Sequence, residues 1–139
     1  MINILFVCTG NSCRSQMAEG FGRALSNGKF EIKSAGISPV GVLPMTIKIM
    51  NEAGIDISEH TSDLLTSEMI QWADYVITLC NSARDNCPVI PPDKTHYHWD
   101  IENPGRLYPS EETRRIEFAR IRDEIKSRVR QLFQNINEG

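Results

Sequence analysis

The sequence predicts an α/β fold, a four-stranded parallel sheet flanked by helices on both faces. Three observations carry this. Short apolar runs alternate with segments of helical period, the pattern of strand–helix–strand units. The first of these runs, Ile2 to Val7, is almost wholly apolar, and Tyr75 to Leu79 also reads as buried, as strands covered on both faces are. The chain has 139 residues, which suits one core, so a single domain over 1–139 is expected.

Ile2, Ile4, Leu5, Phe6 and Val7 form the first run, which stops at Cys8 in a small polar loop containing Gly10. From Met17 the period becomes helical, with Met17, Ala18, Phe21 and Leu25 on one face, and Asn27-Gly28 closes the helix. Phe30 to Ser34 reads as the second strand, ending at Ser34-Ala35-Gly36. Pro44 suits the first turn of a second helix, striped by Ile47, Met50 and Ala53 and ended by Gly54. Ile55 and Ile57 alternate with polar residues in an extended connector, and a short helix is expected over 66–73. Tyr75 to Leu79 is the third strand and delivers Cys80, after which Pro88, Pro91 and Pro92 exclude regular helix. Thr95 to Trp99 is the fourth. From about 110 a long helix carries Phe118, Ile121, Ile125, Val129, Leu132 and Ile136 at 3–4 spacing, which reads as core packing.

Right-handed crossovers bring the carboxyl ends of parallel strands to one edge, where ligands bind in such sheets. Cys8, Ser34, Cys80 and the loop after Trp99 all fall there, so one site is expected.

Composition excludes several functions. Net charge is −3 and the pI is about 5.6, which gives no electrostatic case for nucleic acid or an anionic membrane. The basic residues from Arg114 to Arg130 are interleaved with Glu and Asp, as on a solvated helix face. No apolar run approaches the roughly 20 residues that span a bilayer, and the first run is too short and polar for a signal peptide. A reducing cytoplasm is the simplest setting, and there four cysteines favour catalysis over structural disulfides. No Cys-x2-Cys knuckle argues for zinc.

The chemistry concentrates in Cys8-x5-Arg14-Ser15. Strand, tight loop and helix aim backbone N–H groups at an anion from a helix N-terminus. A thiol attacks only as thiolate, a form that helix N-termini and nearby cations favour. Ser15 offers a hydroxyl to the sulfur, and Arg14 a planar fork for two oxygens of a tetrahedral oxyanion. Gly10 lets the backbone curl, and Asn11 suits a left-handed position or braces the loop. The predicted cradle is Thr9, Gly10, Asn11, Ser12, Cys13 and Arg14 above the nucleophile Cys8. Cys13 is expected to pack and to offer its N–H.

Cys8 to Ser15 with the following Gln-Met-Ala-Glu-Gly resembles the nucleophile loop of the low-molecular-weight tyrosine phosphatase fold, and within it the thioredoxin-coupled arsenate reductases. The similarity runs on through Ser34-Ala35-Gly36, His60-Thr61-Ser62-Asp63, Val76-Ile77-Thr78-Leu79-Cys80, Cys87-Pro88 and His98-Trp99. It implies a low-molecular-weight phosphatase-like domain whose substrate is arsenate and whose reductant is thioredoxin. No cofactor is required, and the protein is expected to act as a monomer in the cytoplasm.

The resemblance also implies a relay. Cys8 attacks arsenate, Cys80 attacks the Cys8 sulfur and arsenite leaves, and Cys87 then takes Cys80 into a disulfide that thioredoxin reduces. The spacing is compatible with this. Seven residues of helix set two Cα atoms about 10 Å apart, whereas a disulfide needs less than about 7 Å. A helical Cys80–Cys87 stretch must therefore unwind to close the bond.

The chain departs from the family at one point. The fold usually carries an Asp-Pro general acid after the last strand, whereas here the string is Asp100-Ile101-Glu102-Asn103-Pro104. Three readings are open: Glu102 or Asp100 reaches the leaving oxygen, arsenate supplies its own proton, or the enzyme is slow or altered. Asn11, Glu19, Ser34 and Asp63 match residue by residue the set that holds potassium in some members, and all offer hard oxygens. A bracing hydrogen-bond network is the alternative for the same residues. The rival functions are a low-molecular-weight phosphotyrosine phosphatase, which needs neither Cys80 nor Cys87, and an oxyanion-binding module with idle thiols.

Overall fold

The computed structural model describes residues 1–79 and 90–138, so the expectations for Cys80 and Cys87 lie outside the described residues. The first strand, β1 (Ile2–Cys8), is fully buried from Ile4 onward. It leads through the loop into α1 (Arg14–Leu25). That helix starts three residues before Met17. Its first turn carries Arg14, Ser15 and Gln16, and buried polar residues there leave no apolar period to read. Asn27 and Gly28 turn the chain in left-handed conformations, at φ 51° and 75°.

The remaining elements are β2 (Phe30–Gly36), α2 (Pro44–Glu52), α3 (Ser67–Trp72), β3 (Tyr75–Thr78), β4 (Thr95–His98) and α4 (Glu111–Glu138). Thr66 caps α3 by accepting from the Met69 amide. The strands form one parallel sheet in the order β2-β1-β3-β4. Registers such as Ile4↔Ile32, Phe6↔Ser34 and Cys8↔Gly36 bring β1 and β2 to the same edge. The ladder continues one residue past β3 and β4, with Leu79 N–H donating to Val7 (2.9 Å) and Trp99 N–H to Thr78 (2.8 Å).

Helices cover both faces. α1 lies against β2 and α4, and the missing Cβ of Gly22 faces the Ile32 side chain. Lys33, pointing the opposite way from Ile32, sets its ammonium 4.5 Å from the Trp72 ring of α3, which covers the other face. The α4 stripe is buried at Phe118, Ile121, Ile125, Val129 and Leu132. It ends on Phe133, stacked on Phe30 with centroids 4.4 Å apart, while Ile136 is only half-buried. The outer face of α4 carries ion pairs one turn apart, Arg114–Glu111, Arg120–Glu117 and Arg128–Glu124. No described helix is long and apolar enough to cross a membrane.

Phe118 has no exposed surface. Phe118→Ala should cost about 3–5 kcal/mol through lost contacts and the cavity left behind. The check is urea unfolding, with a lower midpoint at unchanged slope.

Candidate active site

The loop between β1 and α1 takes its shape from Asn11, which is fully buried at φ 46°. Its amide orientation follows from its partners. A backbone N–H can only donate, and that of Asp63 reaches Asn11 Oδ1 at 2.8 Å. Nδ2 therefore faces Ser15 Oγ (2.7 Å) and Ser34 Oγ (3.0 Å) as donor. Ser34 passes its own hydrogen to Glu19 Oε1. Ser15, already accepting from Asn11, lies 2.9 Å from Cys8 Sγ, so its hydroxyl is placed to donate to the sulfur when that is a thiolate. A chain of oriented dipoles thus runs from Glu19 to the thiol.

The loop carbonyls are held from outside. Those of Cys8, Thr9, Gly10 and Ser12 accept from the amides of Ile37, Ser38, Val40 and Leu43 at 3.2, 2.8, 3.0 and 3.1 Å. Gln16 Nε2 reaches the Asn11 carbonyl at 3.0 Å, and the Ser62 hydroxyl adds a second bond to Gly10. In a trans peptide C=O and N–H point opposite ways, so carbonyls turned outward turn the amides of residues 9–13 inward above Cys8. Gly36 is required for this brace to approach. A Cβ there would stand 2.7 Å from the Thr9 carbonyl and 2.9 Å from Asn11 N.

Cys13 stands at the start of α1 with no side-chain cap bond, which leaves the first amides of the helix available to an anion. Arg14 Nη1 donates to the carbonyls of Ile101 (2.9 Å) and Leu79 (3.2 Å). The resulting cavity, about 350 Å³, is lined by Cys8, Thr9, Gly10, Ser12, Cys13, Arg14, Leu43, Asn103 and Gly105. A buried thiol at the floor of an amide-lined bowl can attack a tetrahedral oxyanion held above it.

Comparison with known proteins agrees with this geometry. The family model described as low molecular weight phosphotyrosine protein phosphatase matches residues 3–139. The chain belongs to that family. An arsenate reductase of Staphylococcus saprophyticus is 47% identical over 132 residues, 95% of this chain and 96% of that protein. A solved arsenate reductase in the phosphate binding state is 35% identical with a TM-score of 0.79, covering 98% of this chain and 99% of that one. The thioredoxin-dependent arsenate reductase of Corynebacterium glutamicum is 31% identical with a TM-score of 0.81, covering 99% of this chain and 62% of that one.

Within the family frame, the residues considered for the acid separate. Asn103 lines the cavity over Cys8, and its Oδ1 accepts from the Gly105 amide at 2.9 Å. Glu102 does not line it. Its carboxylate is half-exposed and paired to Arg120 on α4 at 2.7 Å. Asp100 is exposed and is likewise absent from the described lining. Of the residues considered for the acid, the structure thus brings Asn103 to the cavity and places the Glu102 carboxylate beside Arg120.

Of the potassium set, Glu19, Ser34 and Asp63 line a second cavity of about 530 Å³ beside the loop, and Asn11 bonds to Ser34. Arg23 and Lys33 line the same cavity, with Arg23 Nε 2.9 Å from Glu19. His60 bonds to Gln16 at 3.0 Å. The Ile37–Leu43 brace, Gln16 and Leu43 were not anticipated as site residues. The only signal for the brace is its Gly- and Pro-rich composition.

Two predictions follow from these positions. Asn103→Asp adds an acid of the same shape, so first-turnover phenol release from phenyl phosphate should rise about 10²–10⁴-fold. Nitrophenyl phosphate, whose leaving group departs without a proton, should gain less; equal gains would remove residue 103 from the leaving oxygen. Burial pushes the Cys13 thiol up to about 12, from an ordinary value near 9.0. The folded chain keeps that proton where the unfolded chain releases it. The stability this contributes is complete below about pH 9 and is lost as pH rises toward 12. The urea-midpoint difference between wild type and Cys13→Ala should be constant below pH 9 and narrow above it.

Proposed function

We propose that the protein reduces arsenate to arsenite with Cys8 as nucleophile. The observation that carries this is the Cys8 thiol, 2.9 Å from the Ser15 hydroxyl, in a cavity lined by the loop and Arg14. Support comes from curated relatives named arsenate reductase at 45–50% identity. A phosphotyrosine phosphatase would need a wall for the phenyl ring, and among the described lining residues there is no aromatic. It would also need an acid where Asn103 stands. Arsenate at neutral pH brings hydroxyl groups of its own, so its departing oxygen can leave as water without one.

The relay proceeds as follows. The Cys8 thiolate bonds to arsenic and expels water, with Arg14 and the loop amides holding the remaining oxygens. Cys80 attacks the Cys8 sulfur; the S–S bond forms, the S–As bond breaks, and its electron pair stays on arsenic, which leaves as arsenite. Cys87 attacks the Cys80 sulfur, frees Cys8, and leaves Cys80–Cys87 for a dithiol reductant. Thioredoxin is the reductant of choice, supported by the similarity to the thioredoxin-dependent arsenate reductase of Corynebacterium glutamicum. Such turnover suits a single copy of the chain in a reducing cytoplasm. A potassium ion belongs to the proposal too. Glu19, Ser34 and Asp63 offer hard oxygens to the cavity, while Asn11, the fourth member of the set, gives its Oδ1 to the Asp63 amide and Arg23 competes for Glu19.

Cys8→Ser should abolish arsenite release yet keep stabilisation by sulfate, since the bowl is backbone plus Arg14. Arsenite release by that variant would remove Cys8 from the mechanism. Cys87→Ser should release one arsenite per chain and stop as a Cys8–Cys80 disulfide detectable by mass spectrometry; continued turnover with thioredoxin would sink the relay. For the ion, potassium chloride should raise the melting temperature above that in sodium chloride, and Glu19→Gln should abolish the difference. Equal melting in both salts would rule the ion out.

A further inference from the structure

The Asn103 side chain is oriented by its own loop. A backbone N–H can only donate, and that of Gly105 reaches Asn103 Oδ1 at 2.9 Å. Oδ1 is thereby taken, and Nδ2, which carries two hydrogens, makes no hydrogen bond among the described residues. The side chain lines the cavity that Cys8, Ser12 and Arg14 also line. The loop that carries it is held on both sides. Arg14 Nη1 donates to the Ile101 carbonyl at 2.9 Å. The Tyr108 hydroxyl and the Arg106 amide donate to the Pro104 carbonyl at 2.8 and 2.9 Å. Ile101 and Pro104, on either side of Asn103, are both buried. Anchored backbone thus presents Asn103 to the cavity, with a neutral donor at the tip of the side chain.

We propose that Asn103 is an oxyanion-binding residue, whose Nδ2 donates to an oxygen of the anion seated over Cys8 and so selects inorganic oxyanions over their esters. This rests on the reading of the cavity as an oxyanion site and adds a ligand to it. An Asp at this position would accept from Gly105 in the same way, and its second oxygen would stand where Nδ2 stands here. An ionised carboxylate repels an anion, so that Asp must hold a proton when the anion binds. The amide needs no proton to donate, and it cannot give its hydrogen up. The chain has in effect exchanged an acid for a permanent donor. An ester whose leaving group waits for an acid is disfavoured by the exchange. An inorganic oxyanion that carries its own hydroxyl is not, and it gains a charge-assisted hydrogen bond. The other charges near the position are Arg14 in the cavity wall, Glu102 paired to Arg120, Arg106 over the Tyr108 ring, and the exposed Asp100.

Sulfate is the probe, because it is neither reduced nor hydrolysed and keeps its full charge across the working pH range. Its dissociation constant is measured by calorimetry on the reduced full chain, as wild type, Asn103→Ala and Asn103→Asp. Loss of the donor in Asn103→Ala should weaken sulfate about 10-fold, the lower end for a hydrogen bond to a charged group, and by the same factor at every pH. Asn103→Asp should weaken it about a further 10-fold near neutral pH. The ratio of its constant to that of the wild type should fall as pH drops toward about 5, since the bound anion raises the affinity of the carboxyl for a proton. Taking ratios removes the titration of Cys8, which all three proteins share. Unchanged binding in Asn103→Ala would overturn the proposal. So would equal weakening in both variants with ratios independent of pH, the pattern that mere loss of loop shape gives. If Asn103→Ala does not fold, a flat Asn103→Asp ratio overturns it alone. Failure of the wild type to bind sulfate would instead remove the oxyanion reading of the cavity, and this role with it. Loss of the Asn103 role with wild-type sulfate binding intact leaves arsenate reduction by Cys8 standing.

Discussion

The structure depends on one buried amide. Asn11 sits in a left-handed conformation with no exposed surface, and its side chain bonds to the backbone of Asp63 and the hydroxyls of Ser15 and Ser34. Leaving a buried polar group unpaired costs roughly 1–3 kcal/mol, so these partners hold each other in place. Three segments distant in sequence are fixed at once: the start of α1, the end of β2, and the 61–63 stretch beside it. The donor direction set at Asp63 also makes Ser15 an acceptor of Asn11, which leaves its own hydrogen available to a Cys8 thiolate. Asn11 shapes the loop and orients its chemistry by the same bonds.

The parallel sheet gives that loop its setting. All carboxyl ends lie on one edge, which brings together Cys8, the Gly36 approach, the Leu79 carbonyl and the loop through Ile101. The helix that follows lacks a side-chain cap at Cys13. In an ordinary helix that omission is a cost. Here the uncapped amides form part of the anion site, and a site built for a ligand shows the weakness of local signal expected of functional positions. Burial keeps Cys13 a protonated packing residue while Cys8, nearby in the same loop, meets a hydroxyl donor.

Much of this was readable in the residues. The central strands β1 and β3 were placed to within a residue by nearly unbroken apolar runs, because both of their faces are covered, while β2 alternates buried and exposed residues and β4 is polar and half-exposed. The nucleophile loop was readable from its thiol, glycine and guanidinium in a strand–loop–helix setting. What escaped were features that depend on distant partners. The Ile37–Leu43 segment braces the loop through its backbone, and backbone bonding leaves little trace in side-chain identity. Glu102 looked available because its partner, Arg120, lies 18 residues on, on a different element. The start of α1 was read late because its first turn is polar and faces a site instead of a core. Ile136 extends the spacing of the α4 stripe, but Phe133 makes the last core contact.

Arsenate reduction by this chain's own thiols is the central claim, and counting them tests it most directly. The fully reduced protein, freed of reductant, is exposed to excess arsenate, and its free thiols are titrated in denaturant alongside the arsenite released. The account predicts loss of two thiols and release of one arsenite per chain, with no change when phosphate replaces arsenate. Retention of all four thiols in a folded protein that still binds the oxyanion would contradict it.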